Sequence, residues 1–244
     1  MKPPGRARLD QVLVERGLAE SRTKGQALVL AGQVLVDGKR AEKPGHAVPL
    51  DARIEILQPP RYVGRGGLKL EAALEGFHIG VAGRVCLDAG SSTGGFTDCL
   101  LQHGARRVYA VDVGAGQLDW KLRSDPRVTV REGINARYLR LEDIGEPVDL
   151  AVLDLSFISV TLVLPAVVPL LKETGEMVIL VKPQFEAGRG EVGKGGVVRD
   201  PAVHARACQR VRTAVEELGF TAGLMESPIL GAEGNREFLL YARH

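Results

Sequence analysis

Beyond residue 80 the chain alternates short apolar runs with amphipathic or polar stretches. The runs fall near 85–88, 107–111, 127–131, 148–153, 176–181, 221–226 and 236–242. Each is too short for a buried helix and is bounded by turn formers, so each reads as a strand. Strands separated by helical segments predict an α/β domain: a mostly parallel, seven-stranded sheet with helices on both faces. A short Gly- and Pro-containing link joins the last two strands, so the final one is expected to run antiparallel.

The first sixty residues follow a different pattern. Leu9, Val12, Leu13 and Leu18 recur at helical spacing up to a stop at Gly17, and Ser21 is placed to cap a second helix running through Ala27, Leu28 and Ala31 to Gly32. Val34, Val36 and the Asp37-Gly38 turn then mark a hairpin. Pro59 and Pro60 close this module, and RYVGRGG leads into the next. The expected division is 1–60 for a small α+β domain, 61–67 for a linker and 68–244 for the α/β domain.

Composition changes this picture in two respects. With 244 residues and 45% hydrophobic content, the chain can bury one large core and a small second one. It shows no apolar run of membrane-spanning length and begins with the polar, basic MKPPGRARLD, so a cytoplasmic protein without membrane partners is expected. Cys86, Cys99 and Cys208 are odd in number, lie in apolar segments and have no C-x-x-C spacing, which suits small buried residues rather than a disulfide or a metal site. The net charge of +2 hides an asymmetry. Residues 1–67 carry 12 Lys or Arg against 7 Asp or Glu, net +5, whereas the remainder carries 20 against 23, net −3. A basic N-terminal module suggests a polyanionic partner.

The richest chemistry lies in VCLDAGSSTGGFTDCLL, residues 85–101. A buried strand ends at Asp88 and turns through Gly90, Ser91, Ser92, Thr93, Gly94 and Gly95 into a helix carrying Phe96, Leu100 and Leu101. Such a turn sets backbone N–H groups and a helix N-terminus around a ligand. It has neither the Lys-Ser/Thr pair of a P-loop nor G-x-G-x-x-G spacing. Asp112 ends the next strand about twenty residues on, where a Rossmann-type sheet holds its ribose-binding acid, and it would repel a ribose phosphate. Asn135 follows the third strand and suits either a base edge or an ordinary turn. An adenosine without a pyrophosphate tail fits this series, and S-adenosylmethionine is the expected cofactor, its amino-acid end against Gly90–Gly95.

Further candidates sit at strand ends. Asp154 follows the strand DLAVL and Lys182 follows MVILV, while Lys69 lies in the helix before the first sheet strand and Glu237 in the last strand. A lysine directly after a buried strand is costly unless paired or functional.

Two resemblances follow from these residues. Residues 8–40, RLDQVLVERGLAESRTKGQALVLAGQVLVDGKR, resemble an S4 RNA-binding domain, which implies recognition of folded RNA through basic helix faces. Lys69, Asp154, Lys182 and Glu237 resemble the catalytic tetrad of FtsJ-type ribose 2′-O-methyltransferases. With GRGG, DAGSSTGGFTD, VDVG, DLSFIS, VKPQFE and GRGEVGKGGVVRD in order, nearly the whole chain is similar to the TlyA, hemolysin A-like family. The resemblance implies a class I, Rossmann-like methyltransferase fold beside the S4-like domain. It also implies S-adenosylmethionine-dependent 2′-O-methylation of cytidine in ribosomal RNA, and RNA contacts at Arg6, Arg8, Arg16, Arg22, Lys24, Arg65, Arg189 and Lys194. The chain stops soon after the last strand, without the C-terminal helical extension of the family's dual-specificity members, which inclines the expected target toward large-subunit RNA.

Methyl transfer to a ribose hydroxyl needs collinear oxygen, carbon and sulfur and a group to take the proton. Lys182 is the candidate for that proton, with Asp154 orienting it and lying near the methionine amino group, and with Lys69 and Glu237 positioning the hydroxyl. The G-x-G-x-x-G at Gly188, Gly190 and Gly193 opens no helix from a strand and reads as a flexible loop over the site. The competing readings are a non-catalytic RNA-binding or ribosome-assembly factor, against which the four candidates argue, and a nicotinamide-dependent oxidoreductase, against which the missing fingerprint argues.

Overall fold

In the computed structural model, which describes residues 5–58, 60–188 and 190–244, the chain forms two compact units, residues 1–60 and 61–244. In the first unit β1 (Arg6–Arg8) leads into α1 (Leu9–Glu15), followed by α2 (Arg22–Leu30), β2 (Val34–Val36), β3 (Lys39–Arg40), β4 (Ala47–Pro49) and β5 (Ile54–Ile56). Ser21 caps α2 as its position predicts, its hydroxyl accepting from the Lys24 N–H at 3.2 Å. The β2–β3 hairpin turns at Asp37-Gly38, both with positive φ. Leu9, Val12, Leu13, Val29, Val34 and Val48 make the core. Leu18, expected on the apolar face of the first helix, lies beyond α1 and is exposed.

The second unit begins with α3 (Gly66–Gly76), followed by β6 (Val85–Ala89), α4 (Gly95–Gln102), β7 (Arg107–Asp112), α5 (Trp120–Arg123) and β8 (Val128–Glu132). After α6 (Leu141–Ile144) come β9 (Val148–Leu153), α7 (Leu164–Val167), β10 (Leu171–Val181), α8 (Pro183–Glu186), α9 (Pro201–Glu216), β11 (Thr221–Glu226) and β12 (Phe238–Arg243). The sheet order is β11-β12-β10-β9-β6-β7-β8, with β12 antiparallel to both neighbours and the other pairings parallel.

Alternation along the strands builds two cores. Val85, Leu87, Ala151, Leu153, Met177, Ile179 and Leu240 face α7 and α9, while Cys86, Leu150, Val152, Val178, Leu180 and Leu239 face α3 and α4. All three cysteines are buried and free, as their apolar settings predict. The strand order reverses beside β6, so the crevice at the C-terminal ends of β6 and β9 is where a doubly wound sheet offers a ligand site.

Three sequence expectations need correction. β10 starts at Leu171, five residues before its apolar stretch, because polar residues carry the strand across an irregular register between Leu171 and Glu176. Glu237 lies just before β12, not within it. Residues 61–67, read as a linker, fall within the second unit: Tyr62 is buried and donates to Glu71 Oε1 at 3.1 Å, and the Val63 N–H donates to Asp98 Oδ2 at 2.9 Å. Among the described residues no helix is long and apolar enough to cross a membrane.

Candidate active site

The glycine loop is built by close approach. Gly90 has φ +88°, and a Cβ there would lie 2.4 Å from the Asp154 carbonyl oxygen; a Cβ on Gly94, at φ +97°, would strike the Leu122 side chain at 2.2 Å. Bare glycines at these two places let the loop fold against the end of β9 and against α5. Gly90→Ala is therefore expected to cost about 1–3 kcal/mol of stability in chemical denaturation. A variant as stable as the parent would show that the Asp154 carbonyl can move aside.

Asp88 lies on the α4 side of the sheet, fully buried. Its Oδ2 accepts from the Thr97 hydroxyl at 2.6 Å, and its Oδ1 has no hydrogen-bond partner. Burial pushes its carboxyl up to about 7; the Thr97 hydrogen bond opposes this and Asp154 adds to it. Asp112 accepts the Ser92 N–H on Oδ2 and the Gly114 N–H on Oδ1, both at 2.7 Å, which fixes its carboxylate while leaving lone pairs for a ligand. Asn135 fulfils the ordinary alternative, its Oδ1 capping the short helical turn Ala136–Tyr138 through the Arg137 N–H at 3.0 Å. It also lines the cavity, with its amide nitrogen available to a base edge.

Two cavities share Gly90, Ser92, Asp154 and Ser156. The larger, about 540 Å³, runs past Asp112, Gln117, Ile134 and Asn135. The smaller, about 180 Å³, is bounded by Gly66, Ser91, Thr93, Gly95, Phe96 and Lys182. Together they form a cleft of nucleoside size with a charged inner end.

Strand register brings Asp154 and Lys182 to that end and sets Glu237 opposite Lys182, while Lys69 reaches Glu237 from α3; neither Lys69 nor Glu237 lines a cavity. Val181 pairs with Phe238 across β10 and β12, so Lys182 and Glu237 occupy facing positions one step further. Leu153 pairs with Ile179, so Asp154 leaves the sheet beside them. Lys182 Nζ lies 2.6 Å from Asp154 Oδ1, an ion pair by distance without hydrogen-bond geometry, and donates to Ser156 Oγ at 2.9 Å. Lys69, 8% exposed, donates to Glu237, 2% exposed, at 2.5 Å. Lys69 stands one turn along α3 from Gly66, where a Cβ would sit 3.7 Å from Asp154 Oδ2.

Sequence reasoning did not single out Ser156, Gln117 or Phe157. Ser156 was legible only as part of DLSFIS, because a serine after a strand carries no signal of its own. Phe157 has φ +64°, a strained setting for a bulky residue, and is 93% exposed at the cavity lip with its ring 5.3 Å from that of Phe185.

The basic candidates have mixed surroundings. Arg8 and Arg22 hold the buried Asp10 carboxylate, Arg8 through two bonds of 3.1 and 3.0 Å and Arg22 at 3.3 Å, and keep it well below the usual carboxylate range. Both side chains remain about half exposed. Arg16 donates to the carbonyls of Ala52 and Leu50, and Arg6 to that of Ala47. Lys24, Arg65 and Lys194 are exposed. Arg189 lies outside the described residues. The loop that carries Lys194 is tied rather than loose: Asn235 accepts the Val198 N–H and donates to the Gly196 carbonyl, both at 3.0 Å, and the Glu191–Arg206 pair anchors its start.

Comparison with known proteins matches residues 62–244 to the FtsJ-like methyltransferase family and residues 7–54 to the S4 domain. A Mycobacterium tuberculosis (strain ATCC 25618 / H37Rv) protein named 16S/23S rRNA (cytidine-2'-O)-methyltransferase TlyA is 52% identical over 241 residues, covering 98% of this chain and 90% of that protein. A solved structure of a hemolysin-named protein from Streptococcus thermophilus superposes with a TM-score of 0.75 at 43% identity, covering 100% of this chain and 89% of that one. An S-adenosylmethionine dependent methyltransferase from Mesorhizobium loti shares the fold, with a TM-score of 0.53 at 18% identity over 74% of this chain and 100% of that one.

Proposed function

The chain belongs to the FtsJ-like methyltransferase family, in its TlyA group, and from that premise we propose that it methylates the ribose 2′-hydroxyl of a cytidine in ribosomal RNA, using S-adenosylmethionine. The observation that carries this reading is the Asp154–Lys182 pair on the wall of a nucleoside-sized cleft, with Glu237, paired to the buried Lys69, facing Lys182 across β10 and β12.

The residues present fit the cofactor. Ser91, Ser92, Thr93 and Gly95 border the smaller cavity, and Asp112 and Asn135 line the larger one. Asp88 lines neither, but its buried carboxyl, one oxygen unpartnered, stands at the end of β6 just before that loop and can act on a cationic amino group through charge. Bound there, S-adenosylmethionine supplies an electrophilic methyl group. The protein's own work is to seat the acceptor ribose and remove its proton. Lys69 and Glu237, buried as a pair, can each turn one hydrogen bond toward the hydroxyl. Lys182, its own proton having passed to solvent, takes the hydroxyl proton, and Asp154 and Ser156 fix the direction of its nitrogen. The exposed ring of Phe157 offers a stacking face for a nucleobase at the lip.

The first unit supplies RNA affinity through Arg6, Arg8, Arg16, Arg22 and Lys24, with Arg65, Arg189 and Lys194 contributing from the second; shape and phosphate recognition suits folded RNA.

Transfer of tritiated methyl from S-adenosylmethionine to purified small and large ribosomal subunits tests catalysis and target together. Label on a cytidine ribose of ribosomal RNA is the expected result, and the subunit that carries it identifies the target. Binding of the cofactor without label in either subunit would favour the assembly-factor reading, and calorimetric binding of a nicotinamide dinucleotide instead would overturn the cofactor assignment.

A further inference from the structure

The loops after β9 and β10 are laced together by contacts that lead away from the cleft. Nearest the cavity are Asp154 and Ser156 on Lys182; next comes the Phe157–Phe185 ring pair at 5.3 Å. Farthest along stands Glu186, at the end of α8. Its Oε2 accepts from the Ser159 hydroxyl at 2.5 Å and its Oε1 from the Val160 N–H at 2.8 Å. From the other side Arg210 donates to the Glu186 backbone carbonyl at 3.0 Å.

Glu186 is 4% exposed and lines neither cavity. A carboxyl group this deeply buried is costly unless its hydrogen bonds repay the lost hydration, and packing alone would be served by an apolar residue. Both donors belong to one short stretch, the start of the helical turn that ends the Asp154–Ser159 loop. β9 fixes where that loop begins, and Glu186 fixes where it ends. Between those two points the chain passes through the strained φ of Phe157, which would relax if either end were released.

We propose that Glu186 is a positioning residue: by clasping Ser159 and Val160 it sets the path of the loop that aims Asp154 and Ser156 at Lys182. The inference rests on the reading of Lys182 as the proton acceptor. Displacement of such a loop by about 1 Å is enough to cost on the order of a hundredfold in rate when a catalytic group is misaimed.

Steady-state methyl transfer to ribosomal subunits, together with calorimetric cofactor binding, separates the outcomes for Glu186→Ala, Glu186→Gln, Ser159→Ala and Lys182→Ala. Glu186→Ala is expected to lower kcat about tenfold or more with cofactor affinity held within about twofold, because the clasp acts on aim and not on the cofactor's seat. Glu186→Gln should restore most of the rate, since its amide oxygen can accept from Val160 and its NH2 can donate to the Ser159 oxygen. A kcat for Glu186→Ala within about fivefold of the parent, an equal loss in cofactor affinity, or a Gln variant as impaired as Ala would each overturn the role. Should Glu186→Ala not fold, Ser159→Ala decides: a lowered kcat at unchanged cofactor affinity supports the clasp, and an unchanged kcat overturns it. If Lys182→Ala turns over normally, the proton-acceptor reading itself has failed, whatever the Glu186 variants do.

Discussion

Lys182→Ala is expected to lower methyl transfer by about a thousandfold while leaving S-adenosylmethionine bound at least as tightly as in the parent. The variant removes the only cation shown within 4 Å of Asp154 among the described residues and so leaves that carboxylate uncompensated at the inner end of the cleft. An extra negative charge beside a sulfonium and an ammonium cannot weaken their binding by electrostatics. Loss of turnover with retained affinity would therefore report on proton removal, not on a damaged site. Rates for the variant within about tenfold of the parent would remove Lys182 from the chemistry. Lys69→Ala is a poorer probe of mechanism. It strands Glu237 as an unpaired, buried carboxylate, a change that costs about 3–5 kcal/mol in comparable settings and so mixes stability with activity.

What the sequence conveyed about this site follows from how local each signal is. The seven strands could be read because each apolar run is bounded by turn formers, and the ligand edge followed from placing Asp88, Asp112 and Asn135 at or after successive strand ends. The antiparallel position of β12 was legible from a short connection. The partnering of Lys182 with Asp154, and of Lys69 with Glu237, was not. Those pairs join residues 28 and 168 positions apart, and only the assembled fold brings them together, β9 beside β10 for the first and α3 against the β12 end for the second. Arg8 and Arg22 looked like surface charges because nothing in the local pattern marks Asp10 as buried; its neighbours Leu9, Val12 and Leu13 carry it into the core. Residues 61–67 looked like a linker for the same reason, since glycines that permit close packing on Tyr62 and on the cavity wall are indistinguishable in sequence from glycines that permit flexibility.

Asp88→Asn is expected to make the protein more stable above pH 7 and at the same time weaken its hold on S-adenosylmethionine. In the parent, burial lifts the Asp88 carboxyl to about 7 in the folded state, against about 3.9 for an unfolded chain. The sign follows from linkage: a folded-state value above the unfolded one means stability that is fully present below about pH 4 and lost as pH rises toward and through about 7. An asparagine has no charge to desolvate, and its amide can keep a hydrogen bond with Thr97, so the variant should show a flatter stability profile over that interval. Denaturant unfolding at steps between pH 4 and pH 8 measures the difference, and a variant less stable than the parent at pH 8 would mean that the carboxylate's bond to Thr97 outweighs its burial. The cofactor should respond in the opposite sense. A cationic amino group bound in the smaller cavity, against the loop that follows Asp88, favours the ionised carboxylate through its charge, so binding to the parent should release protons near pH 7 and tighten as pH rises. Asparagine should bind more weakly and release fewer protons, which calorimetry in two buffers of different ionisation enthalpy would read directly. Equal affinity and equal proton release in both proteins would detach Asp88 from the cofactor and leave its buried charge without a ligand to justify it. A carboxyl group that destabilises the empty fold and strengthens the loaded one is the arrangement expected where stability is given up for binding.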